Sequence, residues 1–244
     1  MHDLDEFEDK LIERFKEHPV LADITRLPDE DFAALLLQRR FVSLAFTPSY
    51  DLAIDLLRDE EGLRIARIIL REEYPDAQGH SPSHREEMTE DMRRLGVSRE
   101  AVVASRPSAA TRRVIEETLE LIADAGGNDD ADLRLLTILR FWGEVLVSVE
   151  YGRLWERMGP LLTRDGQNHS RFYHPHLVHD AKMHSLATVS LLSGTHSDRL
   201  ATRVTELLAR EESADSFKEM EERALRLKAG FYDQFLPALD RVRV

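Results

Sequence analysis

The sequence predicts an all-α protein: one bundle of about seven or eight helices in a single domain over 1–244. Three observations carry this expectation. Apolar residues recur at three- and four-residue spacing through most of the chain, the period of a helix that buries one face. No stretch alternates with period two for long, and the one Asp-Gly pair, Asp165-Gly166, lies among polar residues rather than between β-branched runs. Capping residues, glycines and prolines divide the periodic segments at helical lengths.

The elements follow in order. Leu4, Phe7, Leu11 and Phe15 predict a leading helix before His18-Pro19, placed at the periphery with residues 1–25. Leu27-Pro28-Asp29-Glu30-Asp31 starts a second helix, its acids meeting the positive end of the helix dipole. An apolar run from Phe32 to Phe46 follows and breaks at Thr47-Pro48. A third helix is expected from about Ser49 to Glu73, interrupted by Tyr74-Pro75-Asp76-Ala77-Gln78-Gly79. Ser83 with Glu86 reads as a capping box, and Leu95-Gly96 as the end of that helix. Ser98 opens a short helix, and Ser108 one that stops at Gly126-Gly127. A long helix with a dense apolar middle runs from Asp130 to about Met158. Pro160 to Gly166 is a connection, and a histidine-rich helix is expected to run from Pro175 to Gly194. Ser197-Asp198 caps a helix to Arg210, and a last one covers about Asp215 to Leu239.

The net charge is −13. Such a surface repels phosphate backbones and anionic lipid, so nucleic-acid and membrane-surface partners are not expected. There is no cysteine, which excludes disulfides, thiolate metal sites, iron–sulfur clusters and a cysteine nucleophile. Met1 to Glu8 is acidic and lacks the apolar segment of a secretory signal, and no apolar run is long enough to span a bilayer. The expected location is the cytoplasm.

The most informative stretch is Phe172 to Ser185. It holds four of the ten histidines, His174, His176, His179 and His184, with Asp180 among them. On a helix, residues four apart share a face and drift only about 40° per step. His176, Asp180 and His184 would then form one stripe of two imidazoles and a carboxylate, a ligand mix that suits iron, zinc or manganese. Three other clusters could complete a metal site in a bundle. They are Glu73, in Arg71-Glu72-Glu73-Tyr74; His84, with His80, around the capping serine; and the run from Phe141 to Tyr151. In that run Glu144 and Glu150 are the only charges. A buried carboxylate needs a partner, either a metal or an arginine such as Arg140 or Arg153. Together these clusters supply about three ligands for each of two metals, with positions left open for O2 or substrate.

These residues resemble the haem-oxygenase-like diiron oxidases and oxygenases. That family shows a Glu, a His opening a helix that ends in Leu-Gly, a Glu on a central apolar helix, and a final helix with His-x-x-x-Asp-x-x-His. The resemblance covers about Asp51 to Leu191. It implies a haem-oxygenase-like bundle and metal ligands Glu73, His84, Glu150, His176, Asp180 and His184. Glu144 is the substitute for Glu150. The Asp180-to-His184 spacing is one residue longer than the family's, and Met183 falls where a histidine is expected; a π-type bulge there would restore the geometry. The implied cofactors are two irons, cycling between Fe(II) and Fe(III), with O2 as co-substrate. The implied activity is oxidation of a small organic substrate, for example N-oxygenation, oxidative cleavage or desaturation of an amino-acid-derived molecule. An external electron donor is implied, and a homodimer is the assembly considered. Phe141, Trp142 and Tyr173, with Phe172, are the candidate substrate-facing aromatics.

Two other readings differ in class. An HD-type metal phosphohydrolase would use His179-Asp180 with an earlier histidine and a later acid such as Asp198, but it leaves His176 and His184 without roles. A non-catalytic metal-binding bundle would have to spread six ligands over a site that normally closes at four.

Overall fold

The long apolar helix is the axis of the molecule because its sequence leaves almost no polar face. In the computed structural model it spans Ala131–Ile138 (α9), a π-helical segment Leu139–Val145 and Leu146–Leu162 (α10), with nearly every residue from 131 to 151 buried. Residues 1–75, 80–190, 194–211 and 213–241 are described by the structure. Around the axis pack α1 (His2–Lys16), α8 (Ala109–Gly126), α11 (Tyr173–His179), α12 (His196–Glu211) and α13 (Ala214–Asp233). The result is an all-α bundle.

The leading helix α1 is part of this core rather than a peripheral arm. Leu11 and Phe15 are buried against the bundle, and Glu8 pairs inside it with Arg140. Helix α2 (Pro19–Ala22) and α3 (Asp29–Leu44) follow, and α4 (Phe46–Leu56) takes up Thr47-Pro48 in its first turn, where proline costs no hydrogen bond. The single helix expected over 49–73 is two. The chain turns at Leu57–Asp59 before α5 (Glu60–Glu72). Asp132 on α9 accepts the Arg58 and Asp59 backbone N–H groups at 2.7 and 3.0 Å, while Asp59 caps α5 through Gly62 N and pairs with Arg203. Periodicity cannot register this break, because its cause is a carboxylate more than seventy residues away.

Ser83 and Glu86 form the expected capping box at the start of α6 (His84–Arg94). Gly96 ends that helix at φ +92°, with Val97 N–H bonded to Met92 C=O at 3.0 Å, the left-handed closure that favours glycine. Helix α7 (Arg99–Ala104) comes next. The connection after α10 holds a minimal hairpin, β1 (Thr163–Arg164) and β2 (Gln167–Asn168). Asp165 and Gly166 both have positive φ, as a two-residue hairpin turn requires, so Asp-Gly acts as a turn without apolar flanks. Helix α14 (Leu236–Asp240) is separate from α13, because Pro237 restarts the chain. The expected interruption over 74–79 lies partly outside the described residues. Among the described residues, no helix is long and apolar enough to cross a membrane.

A buried charge network locks the axis at its irregular segment. Arg140 is fully buried and donates to Glu8, with Glu221 at 3.4 Å and Lys182 at 3.0 Å from Glu8. Burial opposes ionisation of Glu8, but Arg140 outweighs it and brings the carboxyl down to about 2. Burial and the neighbouring Glu8 push the Glu221 carboxyl well above the usual range. The Glu8 contribution is complete above the ordinary value of 4.5 and is lost as pH falls toward 2. Denaturant midpoints should therefore fall between pH 4.5 and 2, and Glu8→Gln should remove that part of the decline. An equal decline in Glu8→Gln would refute the assignment.

Candidate metal centre

Two groups of three ligands face one cavity of about 470 Å³. The first joins Glu73, His84 and His176; the second joins Glu144, Asp180 and His196, with one ligand atom from each residue within 4.8 Å of the others in its group.

The first group is built from helix ends. Glu73 closes α5, and His84 opens α6, its Nδ1 2.9 Å from Glu73 Oε1. His176 lies one turn into α11. Its Nδ1 donates to the Phe172 carbonyl at 2.7 Å, so the tautomer is set and the Nε2 lone pair is left for a metal. Burial, then the neighbouring His84, pushes His176 down to about 3, so the ring is neutral and competent to ligate. His84 shifts the other way: burial opposes its charge, but Glu73 raises it. The two rings are 4.7 Å apart, edge to face.

Helices α6 and α11 are held together by Asp91, which is fully buried on α6. Its carboxylate accepts from Ser170 Oγ at 2.6 Å and from the backbone N–H groups of Arg171, Phe172 and Tyr173 at 3.0, 2.9 and 3.4 Å. Most of these donors belong to the segment that leads into α11, so one buried side chain on α6 anchors the entry to that helix and fixes His176 relative to His84. Asp91→Ala is expected to cost about 3 kcal/mol, since it strips several charge-assisted bonds from a buried helix start. A denaturant titration that moves by less than about 1 kcal/mol would show that the cap is dispensable.

The second group centres on the π segment. An i→i+5 turn widens the helix at Leu139–Val145 and carries Glu144 into the cavity. A π-type turn is thus present in the central helix, not near Met183, where the chain has already left α11. Tyr50 Oη donates to Glu144 Oε1. His196 Nδ1 is 3.4 Å from both Glu144 and Asp180, and its Nε2 is 3.1 Å from Glu72. A ring that donates one N–H to a carboxylate presents its other nitrogen to a metal. Burial, then Glu144, drives the Asp180 carboxyl well above its usual range. Burial disfavours charge on His196, but hydrogen bonds to Asp180, Glu144 and Glu72 raise it to about 12. Buried carboxylates crowded around imidazole form a site that favours positive charge, so the donor set fits divalent cations.

The structure brings together Glu73, His84, His176 and Asp180 from the expected set, with Glu144 as the central carboxylate. Two placements are corrected. Glu150 is turned away from both groups: its carboxylate is bonded to Arg39, to Tyr232 at 3.0 Å and to Lys228 at 3.3 Å. His184 is not on the α11 stripe. The helix ends at His179 with Asp180 as its cap, so a period of 3.6 residues no longer applies four positions later. His184 sits half-exposed in the following loop, its Nδ1 2.5 Å from Asp198. His196 takes its place, as the first residue of α12. The helix starts one residue before the expected Ser197-Asp198 cap, with Asp198 N–H bonded to Thr195 Oγ1 at 3.3 Å, so His196, like His84, stands first in a helix. Of the aromatics, Trp142 and Phe172 line the cavity, whereas Phe141 and Tyr173 are core residues outside it. His174 packs on Trp155, its ring centroid 5.0 Å away, and His179 is exposed.

Fold and site together describe an all-α bundle with two carboxylate–histidine groups in one cavity. No family model matches the sequence, and no curated protein matches it. Solved structures do. A CADD-like protein of unknown function from Nostoc punctiforme superposes with a TM-score of 0.65 at 13% identity, covering 99% of this chain and 100% of that one. A second structure of such a protein from the same organism gives 0.58 at 11% identity, over 99% and 98% of the two chains. A TenA family transcription regulator from a Silicibacter species gives 0.58 at 16% identity, over 96% and 94%. At these identities the likeness is one of fold: the chain shares the helical architecture of CADD-like and TenA family proteins.

Proposed function

We propose that this protein is a non-haem diiron oxidase or oxygenase, using Fe(II) and O2 to oxidise a small organic substrate. One observation carries the reading: two separate carboxylate–histidine triads line the same cavity, which also has apolar walls. Glu73, His84 and His176 would hold one iron, and Glu144, Asp180 and His196 the other. A bound iron pair supplies the electrons and open coordination positions for O2 reduction. The chain's own residues do the rest. Phe172 C=O and Glu72 orient His176 and His196 by accepting their second ring protons. Tyr50 holds Glu144 in place. Trp142, Phe46 and Val147 line the cavity with apolar surface, which limits water near the reacting centre.

Among the described residues, the hydrolase alternative finds little geometric support. Of His179, Asp180 and Asp198, only Asp180 belongs to a ligand group, and Asp198 is bound to His184.

The test is anaerobic loading with Fe(II), metal analysis, and mixing with O2 while absorbance is recorded. About two irons per chain and an O2-dependent visible band are expected. One zinc per chain, or iron with no response to O2, would overturn the reading.

A further inference from the structure

Glu150 is not a ligand in this geometry, and what surrounds it gives the cavity a second chemistry. Arg39, Glu150 and Lys228 are buried, at 3%, 0% and 3% exposure. Arg39 is engaged at all three nitrogens: Nε and Nη2 donate to Glu150, and Nη1 to Ser43 Oγ at 2.8 Å. That pair alone would be neutral. Lys228 adds a second cation to one carboxylate, with Tyr232 and Tyr151 both held as neutral phenols by burial. Taken by itself, the cluster sets two cations against one carboxylate.

The excess resides on Lys228. Among the described residues Glu150 is its only hydrogen-bond acceptor, at 3.3 Å, although an ammonium has three N–H donors. The Trp142 ring lies 5.2 Å from its Nζ. Burial pushes Lys228 down to about 8, against the pull of Glu150, which favours its charged form. Arg39, Lys228 and Trp142 all line the cavity. The buried Trp142 Nε1–H has no partner among the described residues, which makes it a further donor. An unpaired buried charge is costly unless something completes it.

We propose that Lys228, backed by Arg39, is the docking point for the single carboxylate of an organic ligand with an apolar body. A monoanion is specified because the cluster is in excess by one charge. A dianion would bring further negative charge into a cavity already lined by Glu72, Glu73, Glu144 and Asp180. The apolar body follows from Leu44, Phe46, Trp142 and Val147 in the walls. That this ligand is the substrate rests on the oxidase reading; the subsite itself does not.

The experiment uses the full chain without metal, in chelator, with octanoate and its neutral isostere octanamide as probes. Binding is followed by tryptophan fluorescence and by thermal shift. Octanoate is expected to bind at least about tenfold more tightly than octanamide, the usual effect of a hydrogen bond to a charged group. Lys228→Met should remove that preference, Lys228→Arg should keep it, and Trp142→Phe should abolish the fluorescence response. Equal affinity for the two probes, no octanoate binding, or undiminished preference in Lys228→Met would overturn the proposal. If Lys228→Met does not fold, the wild-type comparison decides alone. A protein that prefers octanoate yet takes up no iron would sink the oxidase and leave the carboxylate subsite standing. A diiron protein indifferent to the probes would do the reverse.

Discussion

Replacing His196 with alanine is expected to halve the iron bound per chain, from about two to about one, and to abolish O2-dependent oxidation. The variant leaves Glu144 and Asp180 as a pair of buried carboxylates with no imidazole, while Glu73, His84 and His176 remain intact. His184→Ala should retain the parental iron content, because that ring is half-exposed and engaged with Asp198. Glu72→Ala should fall between the two. Removing the carboxylate behind a ligating imidazole typically weakens metal binding by about 10- to 100-fold. Equilibrium dialysis with iron analysis separates the three. Equal losses in His184→Ala and His196→Ala would mean that the loop rearranges on metal binding and the assignment of His196 is incomplete.

Glu150→Ala is expected to cost stability rather than metal. It leaves the buried cations Arg39 and Lys228 without their shared carboxylate. Breaking a buried ion pair from one side costs about 3–5 kcal/mol. For a chain of this size that lowers the melting temperature by about 10 °C. Glu144→Ala should reverse the pattern: it should lose iron, and melt close to the parent when both are metal-free, because Glu144 crowds Asp180. Calorimetry and metal analysis on the two variants test the pair jointly. If Glu150→Ala loses iron at parental stability, the central carboxylate has been misassigned.

These two glutamates show where sequence reading reaches its limit. Both stand in a run that otherwise reads as core, so at least one of them needed a partner, and that much followed from the sequence alone. Which partner belongs to which residue depends on the π segment, whose extra residue per turn changes the face that Glu144 presents. Nothing in Leu139–Val145 announces that turn, and Arg140 within it pairs with Glu8 and Glu221 from helices far away in sequence.

The histidine stretch makes the same point from the other side. His176 and Asp180 share a face because one helical turn separates them, and a local rule suffices. The step to His184 assumed that the helix continues, whereas the chain leaves it at Asp180 and returns with His196 fourteen residues after Lys182. The capped start of α6, the glycine closure at Gly96, the length of the central helix and the all-α class were legible because each follows from neighbours a few residues apart. The break before α5, the π turn, the pairing of Glu150 with Arg39 and Lys228, and the entry of His196 were not. Each is decided by groups distant in the chain that become neighbours only when the bundle closes and buried charge must find its complement.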